Sequence, residues 1–254
     1  MQGAIWEEPS VEAIAARVDR FRPGQMHGFL LLAAAQLCLL GGMNNAVIDE
    51  DVWTWWRMKS RADRFALATA GLNQLKRMKL VDEHVEVPRD GNLVGAGSVG
   101  PALAIMLTAR SNPAFVALFR DADGTSDMRA YGVPDSAGHT SMVLLENRGK
   151  PRTSLGAMYG YVICNREGGT AAMANWLDDA PEEVDGDRPA ARTIDLYLAR
   201  ASSPMHRVTA ARAAADLQVT HTVGTREPAI RHGMSVDTVR AILRTVLFGG
   251  SDDD

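Results

Sequence analysis

At 254 residues, with 46% hydrophobic and 23% charged side chains, the chain carries enough apolar material to bury a sizeable core, which excludes a wholly disordered protein. A net charge of −4 excludes a global electrostatic pull toward nucleic acid and leaves only local basic patches to weigh. Two cysteines, Cys38 and Cys164, sit far apart among apolar residues, so they read as small buried hydrophobes of a reducing compartment and not as a disulfide.

In chain order, residues 1–10 lack the basic and apolar regions of a secretory signal, so the expected location is cytoplasmic. Residues 11–20 have weak amphipathic spacing and predict a helix that stops before Pro23-Gly24. The most apolar run, GFLLLAAAQLCLLGG at 28–42, is shorter than the roughly 20 residues a membrane span needs, and it reads as a buried core helix closed by Gly41-Gly42. Residues 49–57, DEDVWTWWR, begin acidic and end basic, as the helix dipole favours, and carry Trp53, Trp55 and Trp56, which read as core. Ser60 and Asp63 form a capping box for a helix whose apolar stripe is Phe65, Ala68, Leu72, Leu75 and Met78.

Past Asp82 the pattern changes. Val85 and Val87 alternate with Glu86 as in a strand, and a turn follows at 89–92. Pro101 opens a helix that Asn112-Pro113 closes. Strand-like segments follow at 114–120, 128–133, 140–146 and 157–164, joined by short turn-rich links that suit antiparallel hairpins. Thr170 is a candidate cap for a helix carrying Met173, Trp176 and Leu177, and the acidic stretch 178–189 reads as a surface loop. A strand at 193–198 and helices at 205–217 and 235–248 complete the pattern, with the last four residues expected to fray. The expected fold class is α+β: a helical, winged-helix-like part over 1–90, then an antiparallel sheet meander with C-terminal helices over 91–254, or one continuous domain.

Three motifs bear on function. Residues 95–100, GAGSVG, match the dinucleotide fingerprint G-x-G-x-x-G and precede a helix, with Asp121 or Asp123 as candidate ribose ligand. The strand before them is only Leu93-Val94 and the sheet beyond reads as antiparallel, so a nucleotide-binding enzyme ranks third and no cofactor is expected. Between 57 and 79 seven basic residues (Arg57, Lys59, Arg61, Arg64, Lys76, Arg77 and Lys79) face one acid, Asp63. With a wing at 84–87 and 93–95 and with Asn73 and Gln74 within reach of base edges, the second reading is a winged-helix DNA-binding regulator. The competing account of the basic run is a solvated helix face. The six histidines show no paired metal spacing, Cys-x-x-Cys is absent, and Ser98 lacks the G-x-S-x-G elbow, so neither a metal site nor catalytic residues are expected.

From Arg61 onward the order of elements resembles the EspG family, the cytosolic chaperones of actinobacterial type VII secretion. The likeness is carried by LNQLKRMKLVD at 72–82, PALAIMLTARSNP at 101–113, FVALFRD at 115–121, DAPEE ending a polar loop, TIDLYLA at 193–199 and HGMSVDTVRAILRTVLFGG at 232–250. The resemblance implies a non-enzymatic protein that shields the apolar tip of a helical secreted partner of the PE–PPE type. Separately, an antiparallel sheet that leaves one face uncovered makes a homodimer a further expected arrangement, and no membrane partner is expected. Read from the residues, the candidate partner-binding side chains are Met128, Tyr131 and Met142 on the meander and Met234 and Val236 before the last helix, in a chain whose 12 methionines suit adaptable packing.

Overall fold

A computed structural model describes residues 7–41, 49–87, 99–121, 123–125, 127–180, 191–199, 203–213 and 216–249. Its elements are α1 (Val11–Val18), β1 (Met26–Ala33), α2 (Ala34–Gly41), α3 (Glu50–Arg57), α4 (Arg61–Arg77), α5 (Pro101–Ser111), β2 (Phe115–Arg120), β3 (Met128–Pro134), β4 (Thr140–Thr153), β5 (Gly156–Cys164), α6 (Arg166–Asp178), β6 (Ala191–Leu198), β7 (His206–Ala213), β8 (Asp216–Val223), β9 (Ala229–Arg231) and α7 (Val236–Phe248). The chain is α+β. It divides into two compact units that interleave in sequence. The first is Met1–Arg17, His27–Asn112 and Glu146–Val162, and the second is Val18–Met26, Pro113–Leu145 and Ile163–Asp254.

In the first unit β1, β5 and the second half of β4 are neighbours in that order. The apolar run that reads as one helix is divided here: Phe29 to Ala33 extend as β1, and the helix begins at Ala34. A run apolar on every side satisfies a buried strand and a buried helix equally, and tertiary partners decide. One of them is Gln36, whose Oε1 accepts the Ala33 amide at 2.7 Å and whose Nε2 donates to the Gly71 carbonyl at 3.4 Å, fixing the strand-to-helix corner beside α4. All of α2 is buried. Ser60 caps α4 by accepting the Asp63 amide at 3.1 Å, and Ala68, Leu72 and Leu75 are buried, whereas Phe65 of the same stripe is 44% exposed. Residues 85–87 form no strand, so the first half of the expected wing is not there; the second half, 93–95, lies outside the described residues.

The second unit is built on a sheet ordered β4-β3-β2-β6-β7-β8-β9. β2 is antiparallel to both β3 and β6, and β6 to β7, β7 to β8 and β8 to β9 continue the antiparallel run. The hairpins expected over 114–164 are formed. The helix expected over 205–217 is not: His206–Ala213 make β7, and β8 begins at Asp216. Alanine favours helices intrinsically, but Val208 and Ala210 alternate with Arg207, Thr209 and Ala211, and pairing with β6 on one side and β8 on the other overrides propensity.

The helix expected to start at Thr170 starts earlier. Asn165 caps α6 by accepting the Gly168 amide at 2.8 Å, and Thr170 lies inside the helix, its hydroxyl donating to the Glu167 and Arg166 carbonyls. Gly168-Gly169 serves close packing: a Cβ on Gly169 would stand 2.7 Å from a methyl of Val143 on β4, and one on Gly168 would stand 2.9 Å from the Cβ of Cys164. Ser235 caps α7, accepting the Thr238 amide at 3.3 Å.

Candidate binding surface

Opposed residues of an antiparallel pair share a face, so the registers of β2, β3, β6, β7 and β8 sort the second unit's sheet into two sides. On one side lie Phe115, Ala117, Phe119, Ile194, Leu196, Val208, Ala210 and Val219, all buried. Helices cover this side. Phe119 meets Trp176 of α6 edge-on at 5.0 Å between centroids, and Phe115 meets Phe248 of α7 at 6.0 Å.

The other side is of different character. It carries Val116 and Leu118 on β2, Thr193, Asp195 and Tyr197 on β6, and Arg207, Thr209 and Ala211 on β7. Tyr197 is 42% exposed and Val116, Leu118, Thr193, Thr209 and Ala211 are half-buried. In its middle Leu118, Asp195 and Arg207 stand in one row across three strands. The Asp195 side chain is only 1% exposed, because two arginines close over it: Arg120 donates from Nε at 2.9 Å, and Arg207 from Nε at 2.6 Å and Nη2 at 3.2 Å. Burial alone would raise the carboxyl, but the hydrogen bonds and charges of Arg207 and Arg120 outweigh it and hold Asp195 below the usual carboxylate range. Thr193 and Thr209 share a hydroxyl hydrogen bond at 3.1 Å beside this triad.

Of the five side chains singled out from the sequence, none lies on the exposed part of this face. Met128 opposes Phe119 and so points to the helix-covered side, half-buried. Tyr131 opposes Val116 but is 4% exposed, and Met142 is 1% exposed, so neither offers surface to a partner. Met234 and Val236 are half-buried, and the Met234 amide is held by the Leu217 carbonyl at 3.1 Å. Sequence reading missed Leu118, Arg120, Asp195, Tyr197 and Arg207. One signal was available: an aspartate between Ile194 and Leu196 in an otherwise apolar strand needs a cationic partner, though the sequence does not say which.

No family model, curated protein or solved structure matches the chain.

Other polar groups are arranged for structure. Within the first unit the Arg110 side chain, 1% exposed, pairs with Glu146 and with Asp49 at 3.4 Å and donates to the Tyr161 hydroxyl at 3.2 Å. Tyr159 donates to Asp49 at 3.2 Å, and burial together with the nearby Asp49 carboxylate pushes its phenol up. In the second unit His206 and His221 stack at 5.4 Å with ring nitrogens 3.2 Å apart, and burial holds both pKa values below the usual imidazole range. That contact takes one N–H donor and one bare nitrogen, which two neutral rings supply. Burial also pushes the Cys38 and Cys164 thiols up to about 12, away from nucleophilic use.

Among the described residues no group of three or more His, Cys, Asp or Glu could hold a metal ion. Residues 95–98 of the glycine motif lie outside the described residues; Gly100 is the N-cap of α5, with Pro101 in its first turn. The strand that α5 leads into, β2, is antiparallel to both its neighbours, so the parallel strand pair of a dinucleotide-binding unit is not formed around it. Asp121, one candidate ribose ligand, is paired with Arg192 at 3.0 Å, and Asp123 accepts the Thr125 amide and hydroxyl. Of the basic run, Lys76 donates to the Glu83 carbonyl at 2.6 Å, and Lys59 lies 5.4 Å from the Trp55 ring centre. Among the described residues no helix is long and apolar enough to cross a membrane.

Proposed function

We propose that this protein is a non-enzymatic, cytoplasmic chaperone or adaptor that binds another protein on the β2-β6-β7 face of its second unit. The observation that carries the reading is the asymmetry of that sheet. One side is packed under α6 and α7, and the other presents Tyr197, Leu118 and Val116 at partial exposure. An antiparallel sheet tolerates one solvated face, and this one sets Val116, Leu118 and Tyr197 among Thr193, Thr209 and the Arg120–Asp195–Arg207 cluster, the mixture of apolar anchors and polar surroundings that a protein interface uses. The likeness of the element order to the EspG family supports the same reading and suggests the partner class, a helical secreted protein whose apolar tip needs cover before export.

Light scattering of the purified chain, alone and with the small helical secreted proteins of its native host, tests this. The expected outcome is a stoichiometric complex that the double substitution Leu118→Asp and Tyr197→Asp abolishes while the thermal midpoint and circular dichroism stay those of the wild type. A chain that remains monomeric and forms no complex with any of these proteins contradicts the reading.

A further inference from the structure

The β2-β6-β7 face carries one polar device that shielding an apolar surface does not require. A lone buried carboxylate is satisfied by one bidentate arginine, yet Asp195 is held by two, Arg120 and Arg207. Two guanidinium charges on one carboxylate leave the cluster with a net charge of one positive. Their side chains remain 41% and 48% exposed although both are anchored from below. A guanidinium has five N–H donors. Arg120 spends only Nε on Asp195, and Arg207 spends Nε and one hydrogen of Nη2, with no other hydrogen bond from either among the described residues. The remaining donors are planar forks whose position is already fixed, so a ligand that binds them does not have to order two long side chains first.

We propose that the Arg120–Asp195–Arg207 triad anchors a single carboxylate side chain, Asp or Glu, on the docking segment of the partner protein. This rests on the docking reading above and adds the chemistry of its central contact. The triad itself carries one net positive charge, which matches one carboxylate; Arg129 opposes Leu118 on the same side but has a partner of its own, and a polyphosphate backbone binds through many cations in a row, whereas this cationic pair has an aspartate at its centre. The surroundings fix the rest. Leu118 stands beside Asp195 in the strand register and Tyr197 follows two residues along β6 on the same side, so an acidic residue flanked by apolar ones fits the face. Asp195 is a positioning residue, and Arg120 and Arg207 make the contact.

The test uses the full chain and two fluorescein-labelled amphipathic helical peptides, one of Leu, Ala and Glu and the other with every Glu replaced by Gln, read by fluorescence anisotropy. The Glu peptide is expected to bind about ten-fold more tightly than the Gln peptide, as a charge-assisted contact implies. Arg120→Gln and Arg207→Gln should each remove that difference, so that on either variant the Glu peptide binds no more tightly than the Gln peptide. Arg207→Lys, which keeps Asp195 paired with a cation but loses the fork, should lie between, and circular dichroism identifies any variant that has unfolded. Equal binding of both peptides overturns the triad's role and leaves the docking face standing. Binding of neither overturns both, as does self-association of the chain through this face that Arg207→Gln abolishes without any peptide binding. A duplex DNA probe that competes off the Glu peptide and binds more tightly than it would assign the triad to phosphate and overturn the proposal.

Discussion

Replacing Arg110 by methionine is expected to destabilise the first unit by about 3–5 kcal/mol, because it leaves the Glu146 carboxylate buried without its counter-ion. The Glu146 side chain is 3% exposed and pairs with Arg110 in a cluster that also holds Asp49, Tyr159 and Tyr161. Methionine fills most of the arginine's volume, so the loss is electrostatic and not a cavity. Urea unfolding followed by tryptophan fluorescence reads the effect, since Trp53, Trp55 and Trp56 all lie in this unit. Adding Glu146→Leu should recover most of the loss, because two apolar side chains in place of a buried pair remove both desolvation costs together. A single variant as stable as wild type would mean that Glu146 is reached by water.

Gly169→Ala is expected to destabilise the second unit by about 1–3 kcal/mol, against the gain of up to about 1 kcal/mol that alanine brings to an ordinary helix position. The new methyl would meet three atoms of Val143, the two Cγ and the Cβ, at 2.7–2.9 Å. Val143 is fully buried and β-branched, with little freedom to rotate away, so α6 and β4 would have to part. A double-mutant cycle with Val143→Ala separates the contact from the propensity: the two changes together should cost less than their sum. A Gly169→Ala protein more stable than wild type would show that the helix does not pack as closely as these distances say.

How far the sequence foretells this fold depends on where each decision is taken. Local signals were sufficient where the chain decides locally. The Ser60 cap starts its helix, and the short link 135–139 joins β3 to β4. They failed where a distant neighbour decides. The alanines of β7 would sit well in a helix until β6 and β8 flank them, and the helix expected to start at Thr170 begins at Arg166, where Gly168-Gly169 lie against Cys164 and Val143. The proposed docking face belongs to the second kind. Arg120 and Asp195 are 75 residues apart, and only the antiparallel register of β2 with β6 sets them side by side. Met128 and Tyr131, three residues apart on one strand, necessarily point to opposite faces, so a surface patch built from both was incompatible with the pleat.

Docking of another protein on the face opposite α6 and α7 is the proposal on which the rest depends. Site-specific photo-crosslinking tests it most directly: a photoreactive amino acid is placed at Tyr197, on that face, and as a control at the exposed Glu227, and the protein is irradiated in its native host. The expected result is one dominant adduct from position 197, with a partner whose crosslinked segment is helical, and none from position 227. Crosslinks from both positions in equal yield, or none from position 197, would contradict it.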